Sequence, residues 1–279
     1  MRPRVRAGVA DTRWAKTAAG GAIVGLLLFP LYWMVNASLQ PREALLAPAP
    51  SWLPLPPLFD SYQAVLDEQA PNILTSCIVA GATALLSLII AAPSAYALVV
   101  FRMRWTTLFV LGLLVAQMIP HVVMANALYA IYAGLGLLNT YGGLILADST
   151  MGIPFAILIL RAFMSTLPRT LVEAALCDGA GYWGAFFRII LPLSRNGLIT
   201  AGLFCFLFAW SDFIFALTMG TKQQVVPITL GIYNYIGTEN VDWNAIMATA
   251  VLASIPPIAL LLFGQRHITA GLTGGAVKD

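Results

Sequence analysis

Long apolar blocks separated by short polar segments dominate the sequence. Each block has at least the roughly 20 apolar residues that a helix needs to cross the hydrocarbon core of a bilayer, and the second is long enough to tilt. Six blocks therefore predict transmembrane helices, over residues 20–39, 72–101, 106–125, 144–163, 197–219 and 243–263. The expected fold class is an all-α integral membrane protein with six transmembrane helices.

The segments between the blocks are unequal in length. Residues 40–71 are rich in proline and predict an outside loop, with one short amphipathic helix starting at Asp60 or Ser61. Residues 126–143 contain four glycines and no formal charge, which predicts an outer loop with a short helix or a partly re-entrant piece. Residues 168–196 form a polar loop.

Composition agrees with a membrane protein and restricts the function. Hydrophobic residues make up 59% of the chain and charged residues 10%, against about 25% charged in soluble domains. The net charge of +3 is too small to indicate nucleic acid as a partner. Neither a Cys-x-x-Cys motif nor a Cys/His cluster occurs, so no metal site is expected. Cys177 is predicted to be buried in helix packing, with a reactive thiol as the alternative.

The basic residues orient the chain in the membrane. With six spans, every Lys and Arg except Arg42 and Lys222 falls on one side of the membrane. The residues on that side are Arg2, Arg4, Arg6, Arg13, Lys16, Arg102, Arg104, Arg161, Arg169, Arg188, Arg195, Arg266 and Lys278. Lys and Arg are enriched in cytoplasmic segments. The prediction is a chain in the cytoplasmic (inner) membrane with a cytoplasmic basic tail (1–19), a permease domain (20–263) and a cytoplasmic C-terminal tail (264–279).

The polar loop from Pro168 to Pro192 predicts two short helices. Pro168 is suited to the first position of a helix, and apolar residues follow over 171–176. Asp178-Gly179 is a turn signal. The second helix is expected from about Tyr182 to Leu191, with Pro192 ending it.

Aromatic residues give the second helix an unusual surface. Tyr182 and Phe186 are four residues apart, as are Trp183 and Phe187, so each pair shares a helix face. An exposed aromatic cluster is typical of a docking surface. The alternative is that these rings pack on the protein's own helices.

The same loop resembles that of a known family. Glu173-Ala174-Ala175, Asp178-Gly179-Ala180, Phe187, Ile190 and Leu191-Pro192 are similar to the EAA loop of binding-protein-dependent ABC importers. There the loop is cytoplasmic and forms a coupling helix that sits in a groove of the ATPase. The resemblance implies ATPase coupling through Glu173, Ala174, Asp178, Gly179, Ala180, Tyr182, Trp183, Phe186 and Phe187. Asn196 stands where such loops commonly have proline, which is expected to change the start of the next helix and not the docking.

Further segments extend the resemblance to nearly the whole chain. Met118-Ile119-Pro120, Gly136 to Tyr141, Trp210 to Phe213 and Gln265 to Lys278 look like the maltose-type carbohydrate permeases, in the subunit without a large periplasmic insertion. The resemblance implies the transmembrane domain of a type I ABC importer. It also implies a second permease, two ATPase subunits that bind ATP and Mg, an extracytoplasmic sugar-binding protein, membrane lipid and a sugar substrate.

No catalytic constellation is present in the sequence. The nucleotide-binding pattern Gly-x-x-x-x-Gly-Lys-Ser/Thr is absent, so this chain is not expected to be an enzyme or to bind a cofactor itself. A stand-alone secondary transporter or channel is the alternative function. That alternative predicts inverted repeats or paired intramembrane charges, and neither is evident.

Asp212 is the principal candidate for substrate contact, because an ionisable residue within a span usually faces a cavity or a partner. The other interpretation is an interhelical hydrogen bond that stabilises the bundle. Trp210, Gln117 and Tyr129 are weaker candidates, since Trp and Tyr near span ends often anchor the interface. A further possibility is that the partner permease makes most of the substrate contacts.

Overall fold

The computed structural model describes residues 8–49, 51–101, 104–236 and 241–273, and every regular element in these ranges is a helix. The helices are α1 (Gly8–Ser38), α2 (Arg42–Leu45), α3 (Asp60–Val100), α4 (Thr106–Ala116), α5 (His121–Leu135), α6 (Tyr141–Met164), α7 (Thr170–Cys177), α8 (Gly181–Ala185) with a π-helical continuation (Phe186–Ile190), α9 (Leu191–Leu193), α10 (Arg195–Trp210), α11 (Ile214–Met219), α12 (Ile228–Asn234) and α13 (Trp243–Thr273). Some basic residues used to orient the chain lie outside the described residues, namely Arg2, Arg4, Arg6, Arg102 and Lys278.

The apolar blocks correspond to the long helices. Among the described residues, α1, α3, α6 and α13 are long and apolar enough to cross a membrane. The number of candidate spans rises to six if each of two bent helix pairs is one span: α4 with α5, bent by 94°, and the helical segment Gly181–Leu193 with α10, bent by 76°. The all-α membrane class is therefore confirmed, but two of the predicted spans are not continuous helices.

The third predicted span, 106–125, is broken. α4 ends at Ala116, and α5 begins at His121 at an angle of 94° to it. Pro120 lies immediately before α5; it has no N–H to donate and disfavours helical backbone at Ile119. α5 then continues to Leu135 and ends at Gly136, whose φ is +67°. The short helix expected within 126–143 is thus the second half of α5.

The fifth predicted span, 197–219, is broken as well. α10 ends at Trp210, and α11 starts at Ile214. The carboxylate of Asp212 accepts hydrogen bonds from the backbone N–H groups of Phe215 (3.2 Å) and Ala216 (3.0 Å). Asp satisfies free N–H groups at the start of a helix better than it fits a helix interior. Asp212 therefore marks a helix start within the apolar block.

The second predicted span is part of a longer helix. α3 has 41 residues and begins at Asp60, so the outside loop predicted to reach residue 71 ends at residue 59. At 1.5 Å per residue α3 is about 60 Å long, roughly twice the hydrocarbon thickness. Only part of α3 can therefore be within the membrane.

The chain divides into two compact units. The first comprises residues 1–68 and 235–252, and the second comprises residues 69–234 and 253–279. Buried amides organise the first unit: Asn36 Nδ2 and Gln40 Nε2 both donate to the carbonyl oxygen of Ser51, at 2.9 and 2.8 Å. Asn244 Nδ2 donates to the carbonyl oxygen of Ala37 at 3.4 Å. These bonds fasten the segment after α1 to the start of α13 in that unit.

Small residues let helices approach closely in the second unit. Gly152 of α6 lies against Cys205 of α10, whose thiol donates to the Gly152 carbonyl oxygen at 3.4 Å. A Cβ at Gly152 would lie 2.5 Å from Ser87 Oγ on α3. Such contacts are typical of membrane helices, which associate through close packing. α3, α6 and α10 form the core on which the loop 168–196 rests.

Candidate functional site

The loop 168–196, hereafter the aromatic loop, consists of two short helical segments joined by a tight turn. α7 and α8 are separated by residues 178–180. Gly179 has φ +78° and Gly181 has φ +65°, a backbone region that favours glycine because no Cβ is present. The predicted turn at Asp178-Gly179 is confirmed, and Gly181 is a second turn glycine that sequence reasoning did not single out.

Pro192 does not end the second helical segment, contrary to the prediction. The segment continues through Leu193, and a π-helical turn occupies Phe186–Ile190 just before the proline. Proline removes one helical hydrogen bond, and its ring clashes with the carbonyl group four residues earlier. The wider π turn includes that position, Arg188, so the chain remains helical across Pro192.

The aromatic side chains of the loop differ in exposure: three lie on the surface and one is buried. Tyr182, Trp183 and Phe187 are 46%, 66% and 58% exposed, and the Trp183 and Phe187 rings stack at 5.8 Å. Phe186 is only 2% exposed. Its ring packs against Tyr96 of α3 at 5.1 Å. Phe186 is therefore a packing residue in this chain, and the prediction that it belongs to the docking surface is corrected.

The end of α3 holds the aromatic loop in place. The Tyr96 hydroxyl donates to the carbonyl oxygen of Tyr182 at 3.0 Å, and Arg169 donates to the carbonyl oxygen of Val99 at 3.0 Å. The Tyr182 ring contacts Phe101 at 4.9 Å. Hydrogen bonds and ring contacts at both helical segments fix the loop to α3, so a force on the loop reaches a long helix directly.

The polar and small residues of the loop are on its outer surface. Glu173, Ala174, Asp178 and Gly179 are exposed, and Ala180 is half-buried. The Glu173 carboxylate makes no hydrogen bond or ion pair within the described part of the chain, so it is free to contact another molecule. Cys177 is exposed, which corrects the prediction that it is buried.

Asn196 joins the end of the loop to the last helix. Nδ1 of His267 on α13 donates to Asn196 Oδ1 at 3.0 Å, and the Thr200 hydroxyl donates to the Asn196 carbonyl oxygen at 2.8 Å. α10 starts one residue before Asn196. Asparagine at this position thus adds a side-chain link that proline lacks.

A cavity in the second unit brings together two of the four substrate candidates; it is hereafter the polar cavity, because carboxyl, amide and imidazole groups line it within a mostly apolar wall. Gln117 and Asp212 both line this cavity of about 240 Å³. Trp210 does not: it is buried, and its Nε1 donates to the carbonyl oxygen of Ala253 at 3.2 Å. Tyr129 is exposed on α5 away from the cavity lining. One interpretation of Asp212 was a hydrogen bond to another span. In the structure its carboxylate instead accepts the backbone N–H groups at the start of α11.

Asp148 is a cavity residue that sequence reasoning missed. It lies in the first half of α6, is 5% exposed and lines the same cavity. Its Oδ2 atom is buried without a hydrogen-bond partner in the described ranges. A single carboxylate within the apolar block 144–163 was the available signal, because such a residue usually faces a cavity or a partner.

Metal binding finds no support in the described residues. Over those ranges, no group of three or more His, Cys, Asp or Glu side chains is arranged to hold a metal ion. The features that stand out are the exposed face of the aromatic loop and the polar cavity between broken helices.

These features belong to a known class of membrane transport protein. The family described as "Binding-protein-dependent transport system inner membrane component" matches residues 84–274, and this chain is a member of that family. The match includes the aromatic loop and the residues Gln117, Asp148 and Asp212. The resemblance inferred from sequence motifs is confirmed.

Relatives align along most of the chain. The diacetylchitobiose uptake system permease protein DasC of Streptomyces coelicolor is 33% identical, over 95% of this chain and 96% of the relative. The trehalose transport system permease protein SugB of Mycobacterium tuberculosis is 32% identical, over 92% of this chain and 94% of the relative. The trehalose/maltose transport system permease protein MalG of Thermococcus litoralis is 31% identical, over 91% of this chain and 92% of the relative.

A solved structure shares the fold. The crystal structure of a bacterial ABC transporter involved in the import of the acidic polysaccharide alginate contains a chain that matches with a TM-score of 0.80. The match covers 95% of this chain and 99% of the other at 20% identity, so it shows the fold. The chain has the fold of an ABC importer permease, as the resemblance implied.

Proposed function

We propose that this chain is the permease subunit of an ATP-driven sugar importer. The relatives described above are permeases named for the uptake of diacetylchitobiose, trehalose and maltose, and they align with this chain nearly end to end. The observation that carries the proposal is the exposed face of the aromatic loop. It presents stacked Trp183 and Phe187 rings beside the unpaired Glu173 carboxylate on a loop bonded to α3.

The aromatic loop is the docking element for an ATPase subunit. Aromatic side chains on a rigid backbone contribute large contact area with little loss of conformational freedom. Two ATPase subunits bind ATP and Mg and close on each other. The closing motion moves the loop, and the loop moves α3 because Tyr96 and Arg169 bond the two together. Gly179 sets the angle between the two helical segments.

The membrane orientation follows from the charges. The segments rich in Lys and Arg are cytoplasmic, which puts the basic tail 1–19, the aromatic loop and the tail 264–279 on the side where ATP is present. The permease domain is 20–263. Helix α13 continues to Thr273, so the C-terminal tail begins as a helix.

The complete importer has further subunits. A second, related permease forms the other half of the translocation pathway, and an extracytoplasmic binding protein delivers the sugar. Gln117 and Asp212 contribute to the pathway through the polar cavity. Because the ATPase subunits supply the energy, this chain alone performs no catalysis.

Co-purification of the full complex tests the proposal. A tagged chain is expected to isolate together with an ATPase and a second permease, and the complex is expected to import a labelled sugar only with ATP. Trp183→Ala is expected to lose the ATPase. Trp52→Ala, at a comparably exposed tryptophan predicted to lie outside, is the matched control and is expected to retain it.

Two results would overturn the proposal. The first is sugar uptake that continues without the ATPase, as a stand-alone transporter would show. The second is a Trp183→Ala complex with wild-type ATPase content and uptake. Orientation is checked on Cys177 in a Cys77→Ser background: a membrane-impermeant maleimide should label it only from the cytoplasmic side.

A further inference from the structure

The polar cavity lies where two helices are interrupted. Its lining comes from the α4–α5 break near Gln117, the α10–α11 break at Ser211 to Phe213, and the intact helix α6 through Asp148. Substrate sites of membrane transporters are often built at interrupted helices, since the freed helix ends and side chains can face a water-filled space. The position therefore suits a transported solute.

Two polar atoms of the cavity residues lack a partner. Asp148 is 95% buried, and its Oδ2 atom makes no hydrogen bond within the described ranges. The Nε2 atom of Gln117 is also buried and makes no hydrogen bond within the described ranges. Buried polar atoms in proteins almost always have a hydrogen-bond partner. Of the residues with such unpaired buried atoms, Gln117 and Asp148 are the two that line this cavity. Each atom is itself covered, so a rotation of the side chain brings it to the cavity, where the acceptor and the donor suit a molecule able to satisfy both.

Asp212 has a different role from Asp148. Both of its carboxylate oxygens accept backbone N–H groups of α11, at 3.2 and 3.0 Å. Asp212 is therefore a positioning residue that holds the start of α11 beside the cavity. Asp148 is the carboxylate with a free acceptor.

The cavity opens towards the surface of the chain. His121, Phe208 and Ser211 are exposed, whereas Asp148 and Phe215 are buried, so exposed residues form the mouth and Asp148 forms the floor. A pathway shared by two permeases runs along the surfaces that the subunits present to each other. A cavity that opens on a surface can exchange a solute with such a pathway.

We infer that Asp148 and Gln117 form a subsite in this chain for the hydroxyl groups of one sugar ring. A hydroxyl group both donates and accepts, so it can donate to Asp148 Oδ2 and accept from Gln117 Nε2. A metal cation takes oxygen ligands and has no use for an amide donor. Phe208 and Phe215 supply the apolar walls that small-molecule sites usually combine with a few polar groups. The inference rests on the proposed function, because it assumes a sugar substrate.

Transport by the complete complex in proteoliposomes tests the subsite. The probes are labelled trehalose and diacetylchitobiose with their monodeoxy analogues, at concentrations below saturation. Asp148→Asn is expected to lower uptake about tenfold or more, because it replaces the Oδ2 acceptor with an NH₂ donor. In the wild type, one deoxy analogue is expected to be imported much less well than its parent sugar. In Asp148→Asn that difference should fall below about twofold, which a merely structural role would not produce.

Gln117→Ala provides an independent arm should Asp148→Asn reduce assembly. It is expected to lower uptake and to change discrimination at a hydroxyl group as well. Ser149→Ala is the matched control, since Ser149 is equally buried on α6 but bonds the Ile145 carbonyl oxygen of its own helix. It is expected to leave both properties unchanged.

The outcomes separate the two proposals. If the assembled wild-type complex imports no saccharide from a panel of mono-, di- and oligosaccharides, the proposed function fails and the subsite falls with it. If the wild type imports a sugar and both cavity variants keep wild-type uptake and discrimination, only the subsite is overturned. Protection of a Ser211→Cys variant from maleimide by the imported sugar, with Cys177 unprotected, would support it directly.

Discussion

The Tyr96 hydroxyl donates a hydrogen bond of 3.0 Å to the carbonyl oxygen of Tyr182, and the Tyr96 ring packs on Phe186 at 5.1 Å. One side chain of a long helix thus binds the aromatic loop through both a polar and an apolar contact. In the proposed docking to an ATPase, Tyr96 connects the aromatic loop directly to α3.

Tyr96→Phe separates these two contacts. It keeps the ring packing and removes one hydrogen bond, so we expect a stability loss of about 1 kcal/mol. The ATPase should still be recruited, while the amount of sugar imported per ATP hydrolysed should fall. Tyr233→Phe, at a half-exposed tyrosine on α12, is the control. Normal coupling in Tyr96→Phe would show that the bond has no role in transmitting motion.

Phe186 and Phe187 are adjacent residues with opposite exposures. Phe186→Ala should lower permease stability by about 3–5 kcal/mol, because it leaves a cavity beneath the loop. Phe187→Ala should leave the thermal midpoint of the permease almost unchanged and weaken ATPase binding. Thermal unfolding of the purified permease and ATPase content of the complex measure the two effects. Equal losses of stability in the two variants would contradict the assignment of Phe186 to the interior and of Phe187 to the surface.

Gly179 needs its positive φ. Gly179→Ala adds a Cβ in left-handed backbone, which costs about 1–2 kcal/mol, although the side chain itself would meet no neighbour. ATPase docking should weaken as the angle between the loop helices changes. Gly142→Ala, in α6 with equally open surroundings, should be neutral or slightly stabilising. A Gly179→Ala variant as stable as wild type would argue against a strained turn.

Asp212 and Asp148 should respond differently to the same substitution. Asp212→Asn weakens the start of α11 by about 0.5–1.5 kcal/mol, since the new NH₂ group cannot accept a backbone N–H and one of the two hydrogen bonds is lost. Uptake should fall moderately, without a change in discrimination between a sugar and its deoxy analogue. A loss of discrimination in Asp212→Asn would instead put this residue in direct contact with the substrate.

Asn196→Pro tests the departure from the common loop pattern. The substitution removes the Asn196 Oδ1 acceptor of the 3.0 Å bond from His267. Proline is tolerated in the first turn of α10, so the stability change should stay within about 1 kcal/mol. His267→Ala should have a similar effect. ATPase content should be unchanged in both variants, and its loss would show that this link supports docking.

Much of the aromatic loop could be predicted because its signals are local. The turn at Asp178-Gly179 follows from residues whose backbone preferences act over a few positions. The stacking of Trp183 on Phe187 follows from a four-residue spacing. The burial of Phe186 did not follow, because the face of a short helix that turns inward depends on where α3 lies.

The broken spans show where prediction from hydropathy ends. Residues 106–125 and 197–219 are apolar enough to pass as continuous helices, and length and composition do not report a bend. Pro120 and Asp212 were visible in the sequence, but each is compatible with a helix end as well as with an interruption inside a span. The packing around them decided between these outcomes.

The sequence by itself determined the membrane class, the apolar blocks, the charge asymmetry and the family, because each depends on composition, order and local spacing. Only the tertiary structure decided that Gln117, Asp148 and Asp212 line one cavity. These residues are far apart along the chain, and they come together because two helices break and pack beside α6. Hydrophobic burial sets which blocks leave water, but the pairing of distant polar groups depends on how the helices pack against one another.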